Sequence, residues 1–119
     1  MILEKKHKQL DTIKKITFDK LVIDFENKIL LKENTAFELN DIETQILKIL
    51  ISKKNKIFSR KDIINSVWGL NYFNHSDYRI IDLYISKLRS KIEDEPKNPV
   101  YIQTIRGLGY RFFQRVFEN

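Results

Sequence analysis

Between Ile16 and Leu39, short apolar runs alternate with clusters of turn formers. The runs "ITF", "LVIDF", "ILLK" and "AFEL" are separated by "DK", "ENK" and "ENT". Segments this short, rich in β-branched and aromatic residues and punctuated at close spacing, predict an antiparallel meander of three or four strands. After Asn40 the period changes. In "NDIETQILKILISKKNK", Ile42, Ile46, Leu47, Ile49 and Leu50 fall largely on one side of a helix running from about Asp41 to Lys53. Asn40 with Glu43 three residues on is a capping-box pattern. Ser59 with Asp62 repeats that pattern before Ile63, Ile64, Val67 and Trp68, a short amphipathic helix that Gly69 ends. Trp68 reads as core.

A loop, "LNYFNHSD", precedes a third helix, "YRIIDLYISKLRSKIEDE", expected from about Asp77 to Glu93. Ile81, Ile85, Leu88 and Ile92 recur at spacings of four, three and four, one helical stripe. Pro96 and Pro99 close it, and "YIQTIRGLGYRFF" follows as a hairpin with Gly107 and Gly109 at its turn. Tyr110 and Phe112, on one face of the last strand, should pack the hairpin against the third helix. Adjacent Tyr72 and Phe73 read either as pins that hold their polar loop to the body, the favoured reading, or as a partner-binding patch.

With the apolar stripe inward, the opposite face of the third helix carries Arg79, Leu83, Ser86, Lys87 and Ser90, with Arg89 and Lys91 on the flanks. From Arg79 to Lys91, four basic residues against Asp82 leave a net +3. The small serines permit close approach to a surface. Leu83 gains nothing in water, but would find an apolar partner in a thymine methyl group. Cations for phosphate, short polar groups and one apolar probe are what a major-groove helix needs.

The whole chain agrees in sign. Lys and Arg number 22 against 16 Asp and Glu, a formal +6 over 119 residues with a pI near 9.5, which points to a polyanion. There is no cysteine, so no disulfide or thiolate metal site, and His7 and His75 lie far apart. No cofactor or metal is expected. No nucleophile–base pair or phosphate loop is evident, and "RGLGY" lacks the spacing and helix context of a dinucleotide site, which argues against an enzyme. No run approaches the ~18 apolar residues of a membrane span. The start, "MILEKKHKQLD", lacks a signal-peptide core, so the cytoplasm is the expected compartment and no membrane is expected as a partner. A protruding helix suits the wide major groove of B-DNA better than the narrow one of A-form RNA. A protein-docking module is the competing reading, and the basic helix face argues against it.

Three strings, in order, carry a resemblance: "FSRKDIINSVWG", "RIIDLYISKLRSKIE" and "YIQTIRGLGYRF". Together they resemble the effector domain of the OmpR/PhoB family of bacterial response regulators, over about residues 16–114. The resemblance implies an α+β winged helix-turn-helix: an N-terminal four-stranded antiparallel sheet, three helices and a C-terminal β-hairpin wing. Residues 1–15 would be a linker or N-terminal arm, and 16–119 the DNA-binding domain. It implies sequence-specific binding of double-stranded DNA in transcription control. Leu83, Tyr84, Ser86, Lys87 and Lys91 match places from which relatives touch bases or phosphates. Arg89 matches an arginine that reaches the DNA backbone, and Arg106 the wing arginine of the minor groove. Arg79 and Asp82 match a pair that orders the helix start. The loop residues Asn71, Tyr72, Phe73, Asn74 and His75 correspond to a segment that in the family meets RNA polymerase. Here that loop is longer, Tyr84 stands where His or Asn is frequent, and Ser86 where some relatives have arginine. No receiver-domain signature is present in this sequence, so the chain reads either as the effector half of a longer protein with an N-terminal receiver domain, the favoured reading, or as a stand-alone regulator; the resemblance further implies head-to-tail pairs on direct repeats.

Overall fold

The structure is a computed structural model that describes residues 14–69 and 78–114. Most of the expected N-terminal arm, and the loop from Asn71 to His75, lie outside the described residues. The described residues up to Asn40 form one unit, and those from Asp41 a second.

The first unit is an antiparallel meander of β1 (Lys15–Phe18), β2 (Leu21–Asp24), β3 (Ile29–Lys32) and β4 (Thr35–Glu38), in that order across the sheet. The expected turn formers make the turns. Asp19 and Glu33 open two-residue loops at φ 46° and 55°. Between β2 and β3, Asp24 accepts the Asn27 backbone N–H at 2.9 Å, a local turn that lowers the Asp24 pKa. The register aligns Ile16, Ile23, Leu30 and Phe37 across the four strands on one face. Ile23 and Leu30 are fully buried there, while Leu31 on the other face is exposed.

The second unit contains α1 (Asp41–Ser52), α2 (Arg60–Trp68), α3 (Arg79–Ile92) and a hairpin of β5 (Ile102–Ile105) and β6 (Gly109–Phe112). Within α1, Ile46, Leu47, Leu50 and Ile51 are buried, whereas Ile42 and Ile49 are only half-buried. The buried arc is therefore rotated from the expected one, and it takes in Glu43 and Thr44. Ser59 and Asp62 form the reciprocal cap of α2: Ser59 Oγ accepts the Asp62 N–H at 3.0 Å, and Asp62 Oδ2 accepts the Ser59 N–H at 3.3 Å. Gly69, at φ 96°, ends the helix with its N–H on Asn65 O. Trp68, expected in the core, is half-buried.

The stripe of α3 is as its period predicts: Ile81, Ile85, Leu88 and Ile92 have no exposed surface. Each burial is worth about 1.5–3 kcal/mol, so this face fixes which side of α3 looks outward. Phe112 is fully buried and stacks on Tyr101 at 6.0 Å between ring centroids. Across the hairpin, Gln103 accepts the Arg111 Nε–H at 3.0 Å.

One structural segment escaped the sequence reading. Phe58 pairs with Tyr110 as an antiparallel bridge, N–H to O in both directions at 2.8 and 2.9 Å. Asn55 N–H reaches Phe112 O at 2.8 Å, and its side chain exchanges bonds with the Gln114 backbone at 3.1 Å. The chain from Asn55 to Phe58 is therefore bonded to β6 at both of its ends. This explains Gly109: a Cβ there would lie 2.0 Å from Phe58 O. Gly107 differs. It has φ +79° and open space around it, as the turn residue after Arg106 requires. Gly109→Ala should therefore destabilise the protein by more than about 2 kcal/mol, from the clash with a main chain added to the strained φ. Gly107→Ala should cost about 1 kcal/mol, from φ alone. Thermal or urea denaturation of the two variants checks the difference; equal costs would mean that the strand at Phe58 does not hold.

Candidate nucleic-acid interface

On the face of α3 opposite its buried stripe, Arg79, Leu83, Ser86, Lys87 and Ser90 are all exposed, Leu83 by 54%. Ser90 Oγ–H donates to Lys87 O at 2.6 Å, which turns the hydroxyl back onto the helix and keeps the surface low there. Tyr84 is half-buried on the flank, and Lys87 Nζ stands 5.5 Å from its ring centroid.

The flanking cations are held internally. Lys91 Nζ meets Glu43 Oε1 at 2.7 Å, the lysine side chain being 26% exposed and the glutamate 1%. Glu43, which the sequence reading placed in a cap, thus ties α1 to α3. On the other flank, Arg89 Nε and Nη2 both donate to Ile102 O, at 3.0 and 2.8 Å, and Nη2 also donates to Thr104 Oγ1 at 2.7 Å. Its guanidinium carbon lies 5.5 Å from the Tyr110 ring centroid.

Near the start of α3, Asp82 accepts the Tyr110 O–H at 2.5 Å on one oxygen and Arg60 Nη1–H at 3.0 Å on the other. Asp82 therefore ties the first turn of α3 to α2 and to β6 together. At the far end, Glu93 is 3% exposed. Its carboxylate accepts the backbone N–H groups of Val100 at 2.7 Å, Tyr101 at 3.0 and 3.1 Å, and Ile102 at 2.8 Å. The sequence offered no local signal for Glu93, because its partners arrive across a loop.

The wing projects from this frame. Arg106, Gly107 and Leu108 form its exposed tip, with Leu108 61% exposed. Leu108 N–H closes the turn onto Ile105 O at 2.9 Å. The sequence reading passed over Leu108, although an apolar residue between two glycines was the available signal. Among the described residues, no group of His, Cys, Asp or Glu could hold a metal ion, and no helix is long and apolar enough to cross a membrane.

Residues 34–112 match the family described as "Transcriptional regulatory protein, C terminal". The chain belongs to this family. It is a DNA-binding domain of transcriptional regulators of the OmpR/PhoB type, and not an enzyme. Among its relatives, the transcriptional regulatory protein YrkP of Bacillus subtilis is 45% identical over 111 residues, 93% of this chain and 47% of that protein. The probable transcriptional regulator ycf27 of Guillardia theta is 42% identical over 104 residues, 87% of this chain and 41% of that protein. The chain thus spans less than half the length of these relatives. Two solved structures are similar. The DNA-binding domain of Klebsiella pneumoniae RstA, crystallised in complex with the RstA box, superposes with a TM-score of 0.71 at 29% identity, covering 84% of this chain and 97% of that one. The response regulator DrrB, a Thermotoga maritima OmpR/PhoB homologue, superposes with a TM-score of 0.76 at 28% identity, covering 95% of this chain and 52% of that one.

The Tyr110 contact has a pH signature. Burial, then the hydrogen bond to Asp82, push its phenol up to about 12 from 10.0. A raised folded value means that the stability Tyr110 contributes is fully present below pH 10.0 and is lost as pH rises through about 12. The difference between phenolate absorbance titrations of the wild type and Tyr110→Phe should show a midpoint near 12. A midpoint near 10 would mean that the Asp82–Tyr110 contact does not form in solution.

Proposed function

We propose that this domain binds double-stranded DNA sequence-specifically, as the effector half of a two-component response regulator that controls transcription. The observation that carries this reading is the division of α3. Its inner side is fully buried at Ile81, Ile85, Leu88 and Ile92, and its outer side presents Arg79, Leu83, Ser86, Lys87 and Ser90 to solvent. In this reading α3 enters the major groove. Lys87 offers hydrogen-bond donors to guanine or phosphate, Leu83 an apolar surface to thymine methyls, and Ser86 and Ser90 room for close approach. Arg79 and the overall basic charge favour the phosphate backbone. Tyr84 lies at the edge of this contact, within reach of Lys87.

The wing carries Arg106 to the adjacent minor groove, where narrow A/T-rich tracts attract arginine. Support comes from its exposed place at the hairpin tip beside Gly107, which has open space around it. The complex of the similar RstA domain with the RstA box supports the DNA ligand. The remaining length of the relatives, and the similarity to the response regulator DrrB, support a receiver domain N-terminal to this one. Pairing head to tail on direct repeats, and an RNA polymerase contact through Asn71, Tyr72, Phe73, Asn74 and His75, complete the proposal, with the cytoplasm as its setting.

Selection of bound sites from a random duplex pool should yield one shared motif, with repeats if the domain pairs on DNA. On the selected duplex, Lys87→Ala should cost roughly 1–3 kcal/mol and alter the preferred bases. Arg106→Ala should weaken binding mainly at sites with A/T-rich flanks. If Lys87→Ala bound every site with unchanged affinity and preference, the assignment of α3 to the groove would fail.

A further inference from the structure

We propose that Arg89 is a positioning residue that holds the wing at a fixed spacing from α3, and not a cation that meets the DNA. The proposal rests on the reading of α3 and the wing as the two DNA-reading elements. It departs from the match of Arg89 to a backbone-contacting arginine, and the geometry is the reason. Two N–H groups of its guanidinium converge on one main-chain carbonyl, that of the fully buried Ile102, and one of them is shared with Thr104 Oγ1. Both partners belong to β5, while the plane of charge lies 5.5 Å from the ring of Tyr110 on β6. A single side chain from α3 therefore grips both strands of the wing. To reach a phosphate, the guanidinium would have to leave a buried carbonyl unsatisfied, which disfavours the move.

Arg89 is the middle of three attachments. Asp82 holds Tyr110 near the start of α3, and Glu93 holds the backbone of residues 100–102 at its end. At about 1.5 Å per residue these points spread over roughly 16 Å of helix. A hairpin fixed at three points along that length cannot pivot about one of them, so Arg106 arrives at a set distance from Lys87. The consequence is that the two grooves are read in a fixed register, and loosening the middle attachment should disturb the wing's reading while leaving that of α3 in place.

Arginine and lysine separate the two roles. Lysine keeps the charge and can still meet a phosphate, but its ammonium cannot present a planar fork to a carbonyl. The test is a double-mutant cycle of Arg89→Lys and Arg106→Ala on the duplex selected by the wild-type chain, with A/T-rich and G/C-rich flanks compared. Arg89→Lys should bind on the order of tenfold more weakly and lose the flank preference, as Arg106→Ala does, and the double variant should be little weaker than either. Wild-type affinity and flank preference in Arg89→Lys, or losses that multiply in the double variant, would overturn the proposal. If Arg106→Ala itself binds like wild type, the wing reading falls and the proposal with it. If Arg106→Ala weakens binding and Arg89→Lys does not, the proposal falls alone. Where Arg89→Lys melts below the assay temperature, Thr104→Val removes one acceptor and keeps the cation. Its loss, about threefold, should likewise be absorbed by Arg106→Ala, and an absent or multiplying loss would overturn the proposal.

Discussion

The buried carboxylate of Glu93 is the joint on which the arrangement of α3 and the wing depends. It stands immediately after α3, where its own N–H bonds Arg89 O and closes the helix. Its side chain then takes the N–H groups of Val100, Tyr101 and Ile102, where the chain enters β5. A buried carboxylate must find donors, and a charged acceptor binds backbone N–H groups more strongly than a neutral one. One residue thus ends the helix and begins the hairpin. The direction of the wing follows from the direction of α3, without any long connecting element.

The wing is held from its other side as well. The strand-like run from Asn55 to Phe58, between α1 and α2, bonds along β6 and leaves no room for a side chain at residue 109. The two glycines of the turn consequently serve different ends. Gly109 admits a neighbouring backbone inside the fold, and Gly107 keeps the tip slim outside it. From composition they look like one feature, yet only Gly107 lies in open space at the exposed tip.

Much of this was legible in the sequence because it is local. The stripe through Ile81, Ile85, Leu88 and Ile92, the Ser59–Asp62 cap and the short turns of the meander each depend on residues within one or two helical turns or one hairpin. What was not legible is pairing across the fold. Periodicity says which side a charge lies on but not what stands opposite. Lys91 and Arg89 read as flanking cations, and the period could not say that one meets Glu43 and the other a carbonyl of β5. Asn55 to Phe58 went unrecognised for the same reason: so short a pairing shows itself only through its distant partner. Resemblance to a family recovered the architecture. It carried Arg89 over by position, and could not show the hydrogen bonds that this side chain makes to Ile102 and Thr104.

The internal pairing of the flanks also bears on how selective the outer face is. Lys91 and Arg89 are engaged with protein groups, and Asp82 with Arg60 and Tyr110. Arg79 near the start of α3 and Lys87 at its middle are exposed, on either side of Leu83. A helix crowded with free cations would bind any duplex through its phosphates, and salt would weaken all sites alike. A face with few outward charges, two short hydroxyl side chains and one leucine has little to offer a phosphate and more to offer base edges and methyl groups. In the proposed reading, generic attraction comes from the charge of the whole chain, while α3 discriminates. The contacts that hold Arg89 and Lys91 against the frame would then also thin out the charge on the proposed reading surface.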